Sequence, residues 1–126
     1  WNHEFFWNSI TPVTTNIDEN IKSLILKNYE SMDKFIETFC LKGTALFGSG
    51  WVWIVYYYNE DKIDLIATSN GYVPSILEQC YPLLVCDIWE HAYYVDFENR
   101  RVDYLKEIFE VFNWDFAQKN LQECYF

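Results

Sequence analysis

The chain has 126 residues, of which 51% are hydrophobic and 22% charged. The length indicates one domain, or one and a fragment, and the composition is that of a globular protein, which excludes a disordered chain. Lys and Arg number 9 against 19 Asp and Glu, which gives a net charge of −10. We expect neither nucleic acid nor a membrane as a partner, because the basic surface that nucleic acids and anionic lipids require is lacking and no apolar run approaches the ~20 residues of a membrane span.

The cysteines form no Cys-x-x-Cys pair, so neither a zinc ribbon nor a dithiol redox site is supported. We expect reduced and mostly buried thiols in an intracellular protein, located in the cytosol or in an organelle such as a mitochondrion or a plastid. The residues concerned are Cys40, Cys80, Cys86 and Cys124.

The first three predicted elements are helices. Trp1–Ser9 is expected to be the end of a buried helix, which Thr11-Pro12 stops because the residue before a proline is pushed out of the helical region. Asn16 is the expected N-cap of a second helix, and Ser31 is the expected N-cap of a third that continues to Gly48. The apolar side of the third helix is predicted to contain Phe35, Phe39, Leu41 and Leu46.

Strands follow, and then two more helices. Trp51–Tyr58 and Lys62–Thr68 are rich in β-branched and aromatic residues, and the hairpin turn 59–61 joins them. Pro82–Ile88 is predicted to be a buried third strand. The last helices are Arg100–Phe112 and Trp114–Cys124, divided by Asn113. Because helices and strands are segregated, we expect an α+β fold with a small three-stranded antiparallel sheet flanked by helices.

Asp87 and His91 lie four residues apart at the end of the predicted third strand. A charge at the end of an apolar strand is costly to bury unless it has a partner, so either a salt bridge or a metal cation is expected there. Taken alone, the pair is more typical of a structural ion pair. Imidazole and carboxylate together suit iron, manganese or zinc, although the chain's two histidines cannot build a three-histidine zinc site.

Two other kinds of site are weaker interpretations. A serine nucleophile could in principle use His91, but Gly48-Ser49-Gly50 lacks the spacing of a nucleophile elbow. Trp51 and Trp53, or the run Tyr56–Tyr58, could form a carbohydrate-stacking platform, as in an aromatic-rich ligand-binding module. Core packing is favoured for these aromatic residues, since such residues are common in sheets.

Several motifs closely resemble the iron/manganese superoxide dismutase family, and the resemblance runs over essentially the whole chain. They are Trp1–Trp7 (WNHEFFW), Phe47–Trp53 (FGSGWVW), Asp87–Tyr94 (DIWEHAYY), Asn99–Arg101 and Asn113–Phe116. The resemblance implies that residues 1–12 are the end of that family's N-terminal helical hairpin. Residues 13–126 would then be its C-terminal domain.

The same resemblance implies a metal site. His3, Asp87 and His91 would be three of the four protein ligands of one iron ion per subunit, and the fourth would precede Trp1. Trp51, Trp53 and Trp89 would form the walls of the metal pocket and keep it dry. In a homodimer, Glu90 would reach His91 of the partner subunit, and Tyr94 would lie in the dimer interface.

The implied reaction is the disproportionation of superoxide into dioxygen and hydrogen peroxide. Gly71 stands where manganese enzymes of the family usually carry a glutamine, which favours iron over manganese, with use of either metal as the remaining possibility. Because a net charge of −10 repels an anionic substrate, a locally positive funnel is expected, and Arg101 is the family candidate for it.

An alternative interpretation keeps the same fold but assigns the chain no enzymatic activity. The chain would then be a truncated, non-catalytic dimerising fragment that lacks the fourth metal ligand. Retention of His3, Asp87 and His91 argues against this alternative, because a decayed site has no reason to keep the chain's only two histidines in register.

Overall fold

The computed structural model describes residues 2–13, 15–46, 50–69, 79–88 and 101–124, apart from the side chains of Asn2, His3 and Val102. Within these ranges the helices are α1 (Asn2–Ser9), α2 (Glu19–Leu26), α3 (Met32–Ala45), α4 (Arg101–Glu110) and α5 (Trp114–Cys124). The strands are β1 (Gly50–Tyr57), β2 (Lys62–Ser69) and β3 (Cys80–Asp87). The predicted order of the elements and the α+β fold class are confirmed.

The helix ends follow capping chemistry, with one correction to the sequence prediction. Asn16 is not the N-cap of α2, because Asp18 takes that position and accepts a hydrogen bond from the Asn20 amide at 3.0 Å. A carboxylate there also faces the positive end of the helix dipole. Ser31 is confirmed as the N-cap of α3, since its Oγ accepts from the Lys34 amide at 3.1 Å.

α3 differs from its prediction in length and in one face residue. It ends at Ala45 rather than at Gly48. Leu41 is 60% exposed instead of contributing to the core. The buried stripe of this helix runs through Phe35, Phe39 and Gly43 at four-residue spacing, and position 41 falls outside it.

The sheet has the order β2-β1-β3, and both pairs are antiparallel, as predicted. The register between β1 and β3 shifts near Ile54, which pairs with Leu84 while Val55 pairs with Pro82. Leu83 is therefore an extra residue in an edge strand, where a proline is also tolerated. Its carbonyl accepts a hydrogen bond from the buried Asn120 side chain of α5 at 3.0 Å.

The hairpin between β1 and β2 is closed by Asp61, whose φ of 50° lies in the left-handed region. The Tyr56 hydroxyl donates to Oδ1 of Asp61 at 2.6 Å, and Lys27 Nζ at the end of α2 donates to Oδ2 at 2.8 Å. These two bonds hold the pKa of Asp61 below its ordinary value, the Lys27 bond having the larger effect. The turn is thus tied both to its own strand and to a helix.

The free edge of β3 is covered by a helix side chain as well. Ser9, fully buried at the end of α1, accepts a hydrogen bond from the Val85 amide at 3.2 Å and donates to the Phe5 carbonyl at 2.9 Å. Together with Asn120, Ser9 satisfies backbone groups that would otherwise invite another strand to pair.

Aromatic residues make up 21% of the chain, and their side chains fill much of the core. Phe39, Phe109 and Phe112 pack edge to face with centroids 5.5–5.6 Å apart, a geometry that aromatic pairs prefer. Trp51 and Trp53 are 2% and 0% exposed. Both therefore belong to the core, and the interpretation of these two residues as a surface stacking platform is wrong.

Residues 9–11 and 15 are joined to residues 111–114, and we call this junction the 9–15/111–114 seam. Ile10 forms an isolated antiparallel bridge with Phe112, and the Asn113 amide donates to the Ser9 carbonyl at 2.7 Å. The Thr15 hydroxyl donates to the Phe112 carbonyl and accepts from the Trp114 amide, both at 2.9 Å. The seam fixes α1 to the turn between α4 and α5.

None of the helices in the described parts of the chain is long and apolar enough to cross a membrane.

Candidate metal centre

Asp87 ends β3 as a buried carboxylate, with only 2% of its surface exposed. It lies directly opposite Trp51 in the antiparallel pairing of β1 and β3. Residues opposite each other in such a pair project to the same face of the sheet. The amide of Ile88, the next residue, donates to the Gly50 carbonyl at 2.9 Å. The pairing of the two strands thus continues to the point where the carboxylate lies.

Trp53 shares this face, because it is two residues from Trp51 along β1. Its indole Nε1 donates to the hydroxyl of the buried Thr68 at 2.8 Å, across the β1–β2 pair. An indole N–H that is buried needs such an acceptor, so Thr68 fixes the orientation of the ring. The sequence pattern does not reveal Thr68, because its position opposite Trp51 depends on the strand register.

α1 packs over the two tryptophans. The Phe6 and Trp51 rings have centroids 6.2 Å apart, and those of Phe5 and Trp53 are 5.9 Å apart. His3 lies in the same helix, one turn before Phe6. The backbone therefore carries His3 on the helix that covers the Trp51–Asp87 end of the sheet.

The other predicted site residues fall beyond what the structure describes. These are Gly71, Trp89, Glu90, His91 and Tyr94. Within the described residues, no three His, Cys, Asp or Glu side chains come together as a metal site. Two of the three expected ligands, the His3 side chain and the whole of His91, lie outside those residues. Their ligand roles remain predictions.

Cys86 precedes Asp87 but faces the opposite side of the sheet, as neighbours in a strand do. Its thiol is fully buried and donates to the Tyr104 hydroxyl at 3.9 Å. Burial raises the pKa of the Cys86 thiol well above its ordinary value, so the group is held as the neutral thiol. A thiol in this state is no metal ligand, since the thiolate is the form that binds.

The donor chemistry fits a transition metal. The Asp87 carboxylate lies in a dry, aromatic-lined environment, below a helix that carries a histidine. It supplies one anionic oxygen, and a bound cation would offset the cost of burying this charge. Carboxylate and imidazole ligands together suit iron and manganese. Asp87, His3 and His91 are the residues of this chain that could hold such an ion.

Arg101, the candidate for a positive funnel, does not extend freely into solvent, because its guanidinium bonds the backbone at the end of α3. Its Nη1 donates to the carbonyls of Gly43 at 3.2 Å and of Leu46 at 2.7 Å, at the end of α3. The sequence pattern gives no sign of this contact, because the two carbonyls belong to residues that lie 55 and 58 positions before Arg101.

Two surface cavities lined by described residues do not include Trp51 or Asp87 in their walls. One, of about 420 Å³, is lined by Trp7, Ile10, Thr11, Pro12 and Val111. Another, of about 380 Å³, lies between α3 and α4 beside Cys40 and Lys106. Burial is the main effect on the pKa of Cys40 and raises it, while the charge of Lys106 acts in the opposite direction.

Comparison with known proteins gives a consistent result. The family model for the iron/manganese superoxide dismutases, C-terminal domain, matches residues 17–120. The chain is 40% identical over 125 residues to a protein named superoxide dismutase (Fe) from Helicobacter pylori. It is 44% identical over 124 residues to superoxide dismutase (Mn/Fe) from Rickettsia typhi, and 39% identical over 127 residues to superoxide dismutase (Fe) from Campylobacter coli.

These alignments cover 99%, 96% and 94% of this chain but only 56%, 57% and 57% of the three relatives, in the same order. The chain therefore spans a little over half the length of the curated relatives it matches.

Proposed function

Since the chain belongs to the iron/manganese superoxide dismutase family, we propose that it serves the conversion of superoxide into dioxygen and hydrogen peroxide. The observation that carries the proposal is the buried Asp87 carboxylate, held opposite Trp51 at the end of the sheet. Neither core packing nor sheet formation requires a carboxylate at that position. The role of a metal ligand accounts for a buried carboxylate there.

In this proposal Asp87, His3 and His91 hold one metal ion. When bound, the ion supplies the one-electron couple that the disproportionation needs. The fixed backbone pairing around Asp87 and Ile88 orients the carboxylate. Trp51 and Trp53, both buried, exclude water from that side of the carboxylate, which strengthens electrostatic interactions there.

We propose iron as the ion, with manganese as a possible substitute. Two of the three relatives described above carry iron in their names and the third carries both metals. Gly71 supports iron, because manganese enzymes of the family usually carry a glutamine at this position. With the Fe and Mn forms prepared separately, the Fe form should consume superoxide faster per bound ion. Equal rates per ion would contradict the preference for iron and support use of either metal.

We further propose that the protein acts as a homodimer through Glu90 and Tyr94, in a reducing intracellular compartment. The free state of the four cysteines is compatible with such a compartment. Light scattering on the Glu90→Gln and Tyr94→Ala variants, beside the unchanged protein, tests the interface. A dimer that both variants leave intact would overturn the assignment of these two residues.

The Asp87→Asn variant tests the metal centre. Asparagine keeps the size of the side chain but removes the anionic oxygen, so we expect bound iron to fall by at least about tenfold. Metal content after loading and desalting gives the readout, and stopped-flow decay of superoxide gives the activity. Asp115→Asn, an exposed residue in the first turn of α5, is the matched control and should retain both.

Three outcomes are informative. Loss of iron and of activity in Asp87→Asn alone supports the proposal. Unchanged iron binding by Asp87→Asn overturns the metal site. A loaded protein that holds iron through Asp87 yet leaves superoxide decay unaccelerated overturns the enzymatic proposal and supports the non-catalytic fragment.

A further inference from the structure

Arg101 connects two helices that lie far apart in sequence. It is the first residue of α4, and its Nη1 donates to the carbonyls of Gly43 and Leu46, which are in the last turn of α3 and at its C-cap. The last carbonyls of a helix have no partner within it and form the negative end of its dipole. A guanidinium placed there satisfies these acceptors and carries the favourable charge.

The two helices are also in close contact at this point. A Cβ atom added to Gly43 would lie 2.7 Å from Cδ1 of Leu105, so the leucine occupies the space that a side chain would need. Leu105 follows Arg101 by four residues and therefore lies on the same face of α4. The contact of Leu105 and the hydrogen bonds of Arg101 together fix α4 against the end of α3.

The end of α3 in turn contacts the start of β1. A Cβ atom added to Gly50 would lie 2.5 Å from Cδ2 of Leu46, so the Leu46 side chain packs directly on Gly50. The Gly50 carbonyl accepts from the Ile88 amide at 2.9 Å. The next residues of the two strands, Trp51 and Asp87, are the opposed pair of the candidate site.

We propose that Arg101 is a positioning residue for this site, and the proposal rests on the function proposed above. Arg101 holds the end of α3. Through Leu46 it holds the first residue of β1, which keeps Trp51 opposite Asp87. Its charge is used at the helix end rather than for attracting superoxide.

Two variants separate positioning from attraction of the substrate. Arg101→Ala removes both the charge and the hydrogen bonds. Arg101→Lys keeps the charge, but its shorter chain withdraws the donor from the α3 carbonyls. Lys106→Ala is the matched control, because it removes an exposed positive charge from the same helix. The experiment uses the full chain loaded with iron, and thermal unfolding first establishes that each variant is folded.

One readout is independent of activity. We expect amide hydrogen exchange at Ile88, which donates to the Gly50 carbonyl, to accelerate by about tenfold or more in both Arg101 variants, the size expected for losing hydrogen bonds from a charged group. Exchange in β2 at Asp64 and Ile66, whose amides face β1, should not change, and exchange at all three amides should stay the same in Lys106→Ala. The second readout is the rate of superoxide decay as a function of ionic strength.

If Arg101 acts by positioning, both Arg101 variants should lose at least about tenfold in the rate of superoxide decay. That rate should depend on ionic strength as it does in the unchanged protein. Wild-type rate and exchange in Arg101→Lys, or a flattened salt dependence in Arg101→Ala, would overturn the proposal. If Arg101→Ala does not fold, Arg101→Lys decides alone. If the unchanged, iron-loaded protein shows no activity, the proposed function fails, and the exchange readout still decides whether Arg101 positions the strand pair.

Discussion

The hydrogen bond between Trp53 and Thr68 is the clearest case in which one side chain determines the placement of another near the candidate site. The indole N–H is fully buried, and the Thr68 hydroxyl is its acceptor at 2.8 Å. A buried donor without an acceptor pays its full desolvation cost, whereas the net gain from making the bond is smaller. Removing the hydroxyl should therefore lower the free energy of unfolding by more than the net contribution of the hydrogen bond.

The Thr68→Val variant has nearly the same shape and no hydroxyl. We expect it to lower the free energy of unfolding by about 1–3 kcal/mol, because Trp53 Nε1 is left unsatisfied. Denaturant unfolding followed by circular dichroism measures the change. Thr38→Val is the control, since Thr38 is at the α3 surface and bonds only its own helix. A Thr68→Val loss no larger than that of Thr38→Val would contradict this role.

Individual residues differ in how far the sequence reveals them. Asp87 could be predicted as special because a carboxylate that ends an apolar run stands out in the sequence itself. Thr68 and Arg101 could not be predicted as easily, because their partners are set by strand register and helix packing. The roles of His3 and His91 as ligands come from the family resemblance and remain predictions.

Among the elements, the β1–β2 hairpin depends on a single turn residue. Asp61 accepts from Tyr56 and Lys27, and these bonds hold its pKa below the ordinary 3.8. A carboxyl group with a lowered pKa in the folded state stabilises the protein when it is ionised. Its contribution is therefore present above pH 3.8 and is lost as the pH falls through the folded-state value.

Asp61→Asn should remove this contribution while keeping the left-handed backbone, which asparagine tolerates. We expect the variant to be less stable at pH 7 by at most about 1 kcal/mol, since Asp61 is half-exposed. Thermal unfolding at a series of pH values should show the difference shrinking below pH 3.8. Glu107→Gln, an exposed change on α4, serves as the control. A difference between Asp61→Asn and the unchanged protein that persists at the lowest pH would contradict the assignment.

Strand positions were easier to predict than helix starts. The first strand was expected at 51–58 and is Gly50–Tyr57, and the third was expected at 82–88 and is Cys80–Asp87. Runs of aromatic and β-branched residues mark such strands clearly. The start of α2 was misplaced because Asn16 and Asp18 are both good capping residues, and only the folded chain shows which of them reaches a free amide.

At the scale of the whole molecule, α1 and α5 protect the outer edge of β3. Ser9 and Asn120 bond the Val85 amide and the Leu83 carbonyl, which a strand edge would otherwise leave open. An unprotected edge is a template for pairing with another chain. The contacts of α1 with the sheet therefore serve both stability and solubility.

The Ser9→Ala variant tests this coupling. We expect a loss of about 1–3 kcal/mol, because the buried Val85 amide loses its acceptor. Amide exchange at Val85 should accelerate more than exchange at Ile54, in the centre of the sheet. Ser23→Ala, at the exposed surface of α2, should change neither quantity. Equal effects of Ser9→Ala and Ser23→Ala would show that α1 does not hold the edge.

The 9–15/111–114 seam also has a consequence for the order of events on the ribosome. Its side-chain hydrogen bonds join residues 97 and 99 positions apart. At about 5–20 residues per second, some 5–20 s pass between synthesis of Thr15 and synthesis of its partners. The hairpin of β1 and β2 is complete long before that, whereas Ser9, Ile10 and Thr15 still lack their final contacts. For those seconds the chain around Ile10 and Thr15, which the seam covers in the folded protein, is open to any binder that captures nascent chains.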